Sequence, residues 1–248
     1  MTASPSSPPS PSSPSSPVPR GPVRPGHGVL RLLLVRHGQT PSNVARTLDT
    51  HLPGPGLTDL GRRQASTLGA ELAGEGVDAV YHSVALRARE TAGLVGDALG
   101  LTPVAVDGLH EVQVGDLEGR SDEMAVGRFR DTFEHWRDGD LDLPYPHGES
   151  GRALLDRYRA GLADVVARHP DGATVVVVGH GAAIRFCARV LVGEGVHGLP
   201  PAADDHLDNC GRVTLRRPTG GTDPRWELES WLGDAPGGLR SAQDATTG

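Results

Sequence analysis

The chain has 248 residues, a formal net charge of −7 and no lysine, which is length enough for one well-buried domain and marginal for two. The acidic balance argues against a nucleic-acid or anionic-membrane surface, no apolar run is long enough to cross a bilayer, and Cys187 and Cys210 form neither a metal spacing nor a disulfide framework. Without lysine there is no Schiff base and no P-loop; the cations other than histidine are all arginine, whose planar fork binds phosphate and carboxylate and stays charged.

Residues 1–28 are a Pro/Ser-rich tail that cannot build a core and is expected to stay disordered. The tail has no apolar stretch of the secretory-signal kind, so the protein reads as cytoplasmic. One domain is expected over 29–232. Its first strand runs from Leu30 to Val35, and a helix capped by Thr58 follows to Ala73. A strand from Asp78 to Ser83 leads into a helix from Ala85 to Leu99, and a third strand runs from Val104 to Leu109. Helical patterns cover Ser121 to Trp136 and Gly148 to Arg168, the second ended by His169-Pro170. The strand Thr174 to Gly179 precedes a helix from Ala182 to Leu191. Val213 to Arg216 and Trp226 to Ser230 read as a hairpin around Pro218-Thr219-Gly220-Gly221, and residues 233–248 as a flexible tail. Strands alternating with helices give an α/β fold, a three-layer αβα sandwich with a mainly parallel sheet and helices on both faces.

Each of four strands ends on a candidate site. Arg36 and His37 follow the first, Arg87 the second, Glu111 the third and His180 the fourth. If the strands are parallel, all lie at one carboxyl edge, where α/β proteins bind ligands. Gly38 and Gly181 would let backbone N–H groups approach an anion. Such a set suits phosphoryl transfer, in which catalysis is mostly positioning and electrostatics. Arginines and one histidine supply the positive field. The other histidine attacks phosphorus, its pKa lowered by neighbouring like charge. A carboxylic acid protonates the leaving alcohol.

At these residues the chain resembles the histidine phosphatase superfamily, also called phosphoglycerate mutase-like. The resemblance rests on Arg36-His37-Gly38-Gln39-Thr40 with Asn43, on Leu57-Thr58-Asp59-Leu60-Gly61-Arg62-Arg63-Gln64-Ala65, and on Ala85-Leu86-Arg87-Ala88-Arg89-Glu90-Thr91-Ala92. It continues through Leu109 to Gly119, Gly148-Glu149-Ser150 and Val178-Gly179-His180-Gly181. The resemblance implies that His37 is the nucleophile that becomes phosphohistidine. It implies that Arg36, Arg87 and His180 hold the phosphoryl group, that Asn43 assists, and that Glu111 is the proton donor. It implies no metal and no organic cofactor. Two segments depart from the family: His82-Ser83-Val84-Ala85 lacks the usual proline, and Arg46-Thr47-Leu48-Asp49 stands where Arg-x-Gln-Gly is common.

A lone Arg-His-Gly is weak evidence; the ordered set of segments carries the weight. Glu118 is read as a loop anchor and Glu123 as a first-turn carboxylate that suits a helix dipole. Arg62 and Arg46 either reach the phosphate or stay exposed. His82, His110, His147 and His206 read as surface or loop histidines, with no second cluster for zinc. Trp136 and Phe133 read as core or pocket wall. The expected activity is hydrolysis of a small phosphomonoester. The runner-up is a mutase, which the acidic segment Ser121 to Tyr145 disfavours. A phospho-ligand-binding protein without turnover is a third reading. The physiological substrate and the oligomeric state stay open.

Overall fold

The computed structural model describes residues 28–193, 206–218 and 226–240. β1 (Val29–Arg36), β2 (Ala79–His82), β3 (Val104–Ala105), β4 (Thr174–Gly179), β5 (Arg212–Pro218) and β6 (Glu227–Leu232) form one six-stranded sheet in the order β3-β2-β4-β1-β5-β6. β3, β2, β4 and β1 run parallel, while β5 and β6 are added antiparallel. All positions of β4 are buried, as a central strand covered on both faces requires.

Strand alternation divides the core into two layers. Leu30, Leu32 and Leu34 join Tyr81, Val175 and Val177 on one face, against α4 (Glu123–Arg137), α5 (Gly151–Ala167) and α6 (Gly181–Val192). Leu33 and Val35 join Val80, Val176 and Val178 on the other, against α2 (Asp59–Leu72) and α3 (Leu86–Leu99). The expected αβα sandwich is therefore the one observed. Thr58 caps α2 through its side chain, as its position before the apolar period predicts. Phe133 and Trp136 are core residues, packed on Phe186 and Tyr145. Among the described residues no helix is long and apolar enough to cross a membrane.

Three elements differ from expectation. The third strand pairs only over Val104–Ala105, because Gly108, at φ +82°, turns the chain under the backbone of Arg157. A short helix, α1 (Pro41–Ala45), follows the first strand; Thr40 and Asn43 form its capping box. The described part of the expected C-terminal tail, 233–240, is docked: Gly237 N–H donates to Glu71 and Arg240 pairs with Asp208. The hairpin turn and residues 1–27 and 241–248 lie outside the described residues.

One contact seats the segment after β1. A side chain on Gly38 would stand 2.5 Å from the Gly61 carbonyl oxygen, and one on Gly61 would overlap the Gln39 carbonyl. The glycine of the Leu57–Ala65 segment is thus required by close approach of two backbones. Gly61→Ala is expected to destabilise the protein by about 1–3 kcal/mol through overpacking and to lower activity by displacing the neighbouring loop. Urea unfolding and a phosphatase assay on one preparation check both.

Candidate active site

The register of the central strands brings the two histidines together. Arg36 pairs with Gly179 across β1 and β4, and the His37 N–H donates to the Gly179 carbonyl at 3.0 Å. His37 and His180 each lie one residue beyond that pair, with ring centroids 5.3 Å apart.

Hydrogen bonds define both tautomers. His37 Nδ1 lies 2.8 Å from the Gly38 carbonyl. A carbonyl only accepts, so Nδ1 carries the proton and Nε2 keeps its lone pair. Arg87 Nε donates to His180 Nδ1 at 3.3 Å. His180 therefore carries its proton on Nε2 and donates it to Ser83 Oγ at 2.7 Å. Burial first, then the guanidinium of Arg87, holds the pKa of each ring well below the usual histidine range; Arg36 adds to this at His37. Both rings are neutral at neutral pH.

Arg87 is buried in the first turn of α3. Its Nε goes to His180 and its Nη2 to the Asp49 carbonyl at 3.2 Å. Its Nη1 is buried and has no hydrogen-bond partner among the described residues. The nearest anion is Asp49 Oδ1 at 3.9 Å. Gly54, at φ +68°, leaves the room that this guanidinium occupies. The departure at Arg46-Thr47-Leu48-Asp49 thus sets a carboxylate beside the central arginine. Ser42 Oγ fixes that carboxylate at 2.6 Å. Arg36 is half-buried; its Nη1 donates to the Leu207 carbonyl at 2.6 Å, and Gly181 leaves space for its side chain.

Glu111 stands on the N-terminus of α6. Its oxygens accept from the N–H groups of Val112, Ala182 and Ala183 at 2.9–3.0 Å, where a negative charge suits the helix dipole. Asn43 Oδ1 accepts from the Thr40 N–H and from Asn209 Nδ2, which leaves its own Nδ2 without a hydrogen bond among the described residues. Gly38 has a task other than the expected anion contact. Its N–H donates to Thr91 Oγ1 at 3.0 Å, and its bare Cα admits Gly61. Glu118 anchors Thr50 and His51, and Glu123 sits in the first turn of α4. Arg62 is half exposed and pairs with Glu90 at 3.4 Å. Arg46 is exposed, in the left-handed cap of α1. His82 is buried and donates from Nδ1 to the Ser83 carbonyl, whereas His147 is exposed beside Asp116.

Several residues of the site carry no mark in the sequence. Asn209 is fully buried and donates to the His37 carbonyl at 3.0 Å. Arg157 holds the loop around Glu111 from α5: it pairs with Glu149 and donates to the carbonyls of Gly108, His110 and Glu111. Ser83 directly follows β2, and that position at the carboxyl edge was the one available signal. Asn209 and Arg157 lie far along the chain in segments without a motif.

The family model described as histidine phosphatase superfamily (branch 1) matches residues 32–231. The chain belongs to the histidine phosphatase superfamily. Within the family it is 32% identical over 181 residues to a putative phosphoserine phosphatase 2 of Hydrogenobacter thermophilus, covering 73% of this chain and 86% of that protein. It is 31% identical over 215 residues to a probable phosphoglycerate mutase of Yersinia pestis, covering 84% of this chain and 93% of that protein. Among solved structures, the mycobacterial glucosyl-3-phosphoglycerate phosphatase superposes with a TM-score of 0.68 at 27% identity, over 83% of this chain and all of that one. The α-ribazole phosphatase of Shigella flexneri gives 0.62 at 25% identity, over 82% and 96%.

Two expectations follow for the histidine phosphatase site. Unfolded histidines titrate near pH 6.5, whereas His37 and His180 fold with pKa values well below that. Below pH 6.5 the unfolded chain binds protons that the folded chain refuses, so stability is lost as pH falls, by up to about 1.4 kcal/mol per pH unit for each ring. Urea midpoints are expected to drop between pH 7 and 5, and less steeply in His180→Asn. Asp49 also competes with any anion for Arg87. Asp49→Asn is expected to tighten inorganic phosphate about fivefold, ~1 kcal/mol for a partly buried pair, as read by calorimetry.

Proposed function

We propose that this chain hydrolyses small phosphomonoesters through a phosphohistidine on His37. The observation that carries the reading is the buried Nη1 of Arg87, a charged donor without a hydrogen bond, beside a neutral histidine whose Nε2 lone pair is free. A buried unmet guanidinium is costly, and a phosphoryl oxygen relieves that cost. The relatives named as phosphatases support the same reading.

In the first step His37 Nε2 attacks phosphorus, the P–O ester bond breaks, and Glu111 gives its proton to the leaving oxygen. Arg36, Arg87 and the Asn43 amide face the phosphoryl oxygens, while His180, with its Nε2 proton on Ser83 and its Nδ1 on Arg87 Nε, orients Arg87. Donors fixed in advance favour charge that develops in transit. In the second step Glu111 takes a proton from water, water oxygen attacks the phosphohistidine, and phosphate leaves. The N–H groups that hold Glu111 at the start of α6, the helix whose N-cap is His180, favour the carboxylate form that the second step uses. A mutase would retain the phosphoryl group for return to product, the activity named for the Yersinia relative. The segment Ser121 to Tyr145 has seven acidic residues against Arg128, Arg130 and Arg137, and Arg137 is paired with Glu134. That leaves little positive charge there for a second anionic group, and hydrolysis is the preferred outcome.

The experiment compares kcat/KM on an alkyl phosphate and on p-nitrophenyl phosphate. Glu111→Gln is expected to slow the alkyl ester at least about tenfold more than the aryl ester, whose leaving group departs without a proton. Arg87→Ala is expected to slow both by roughly 10²–10³, as loss of a preorganised donor does. Equal losses in Glu111→Gln would remove Glu111 from the acid role. Isomerisation of 3-phosphoglycerate faster than phosphate release would decide for the mutase.

A further inference from the structure

The turn 207–211 wraps the backbone and side chain of Arg36-His37. The Leu207 carbonyl accepts from Arg36 Nη1 at 2.6 Å, and the Gly211 carbonyl accepts from the Arg36 N–H at 3.0 Å. Cys210 N–H donates to the Arg36 carbonyl and Asn209 Nδ2 to the His37 carbonyl, each at 3.0 Å. Arg36 and His37 are thus held by one short segment that makes none of the proposed chemistry itself.

That segment is in turn held from behind by residues 233–240. Asp208 N–H donates to the Gly233 carbonyl at 2.6 Å. The Asp208 carboxylate is 5% exposed and accepts from Ala235 N–H at 3.2 Å and from Arg240 Nε at 2.9 Å. Arg240 Nη2 reaches Asp234 Oδ1 at 3.0 Å. A second tie lies on α2. Gln64, fully buried, accepts from Gln39 N–H at 2.9 Å and donates to the Leu239 carbonyl at 2.7 Å. It links the loop after His37 to the C-terminal segment. Between that segment and α2 lies a half-open cleft of about 170 Å³ lined by Leu68, Glu71, Cys210 and Arg212 among others.

The group His206, Asp208 and Asp234 also has ligand atoms within 4.8 Å of one another. A metal is the weaker reading there, because the Arg240 guanidinium already lies within hydrogen-bond distance of both carboxylates.

We propose that the C-terminal segment is part of the active-site scaffold and that Arg240, acting through Asp208, is a positioning residue for Arg36 and His37. This rests on the phosphomonoesterase reading above. The argument is electrostatic. Removing Arg240 leaves the buried Asp208 carboxylate without its cation, which is strongly unfavourable. The turn then relaxes toward solvent and takes with it Leu207, which orients the Arg36 fork, and Asn209, which supports His37. A displacement of about 1 Å at reacting groups can cost on the order of a hundredfold.

The test uses the full chain with Arg240→Ala, Arg240→Lys, Asp234→Ala and, as control, Arg152→Ala, which breaks the exposed pair with Asp142. Readouts are thermal midpoint, calorimetric binding of inorganic phosphate, and kcat and KM on p-nitrophenyl phosphate well below the midpoint. Arg240→Ala is expected to lower kcat at least about tenfold and to weaken phosphate severalfold. Arg240→Lys should recover most of both, because it restores the charge at Asp208. Arg152→Ala should change neither. Arg240→Ala indistinguishable from Arg152→Ala in kcat and phosphate affinity overturns the proposal, as does a loss no larger than its unfolded fraction explains. If Arg240→Ala does not fold, Asp234→Ala decides. It removes only the exposed half of the grip, a severalfold loss of kcat is expected, and wild-type behaviour overturns the proposal. If the wild type binds phosphate but turns over no phosphomonoester, the function reading fails, and the phosphate arm still decides on the segment's role.

Discussion

The site depends on the parallel pairing of β1 with β4 in one register. Arg36 lies opposite Gly179, and the next bond runs from the His37 N–H to the Gly179 carbonyl. Each strand then releases a histidine at the same height of the sheet, and the two rings meet edge to face. A slip of one residue would turn every side chain of β1 to the opposite layer, carrying Leu33 and Val35 out of the α2–α3 core and His37 away from His180. β1 is apolar on both faces, so close packing in the two layers, and not burial alone, opposes that slip. Hydrophobic register in the core and catalytic register at the edge are one constraint. β2 extends it: lying on the other side of β4, it brings Ser83 to His180, and α3 begins close enough for Arg87 to reach the same ring.

Around this pair the electrostatics are deliberately incomplete. Two arginines and two neutral imidazoles share a buried space, and the rings stay neutral because burial and the guanidinium charges oppose protonation. Burial also disfavours the charge on Arg87, while Asp49, Glu111 and Glu118 favour it. The carboxylates keep the arginine charged but do not meet its Nη1. Donors arranged in this way favour an anion. Asp49 limits that preference, since an entering phosphate must share Arg87 with a fixed carboxylate 3.9 Å away. On the proposed function, substrate choice turns on the loop between α1 and α2, where the sequence leaves its family's common pattern.

The remaining charges mostly serve geometry. Arg157 directs its donors to Glu149 and to the carbonyls of Gly108, His110 and Glu111, so the loop around Glu111 has a fixed path although the last backbone bond to β2 is that of Val106. Glu118 does the same for Thr50, and Gln64 joins the loop after His37 to Leu239. Apart from Arg157–Glu149, eight residues apart, the ties span from 25 to 175 residues in sequence. Irregular segments without a ladder must satisfy their backbone groups with side chains, and here Arg157 and Gln64 come from helices on opposite layers while Glu118 comes from a loop.

The sequence by itself determined the layers, the edge and the central residues. Apolar runs with sharp Gly or His ends mark β1 and β4 because a fully buried strand has no polar face to show. Thr58 marks the start of α2 because an N-cap needs a short side-chain acceptor. Arg36, His37, Arg87, Glu111 and His180 were legible because each follows such an element within a few residues. Only the tertiary structure decided what lies between these points. The strand order sets His37 against His180. The shortness of β3 depends on a turn under α5. The docking of 233–240 depends on Asp208 and Gln64, which precede it by dozens of residues. Local periodicity reports which face of an element is buried. It does not report which distant carboxylate or amide will meet a backbone group, because such bonds have no period and no fixed spacing along the chain.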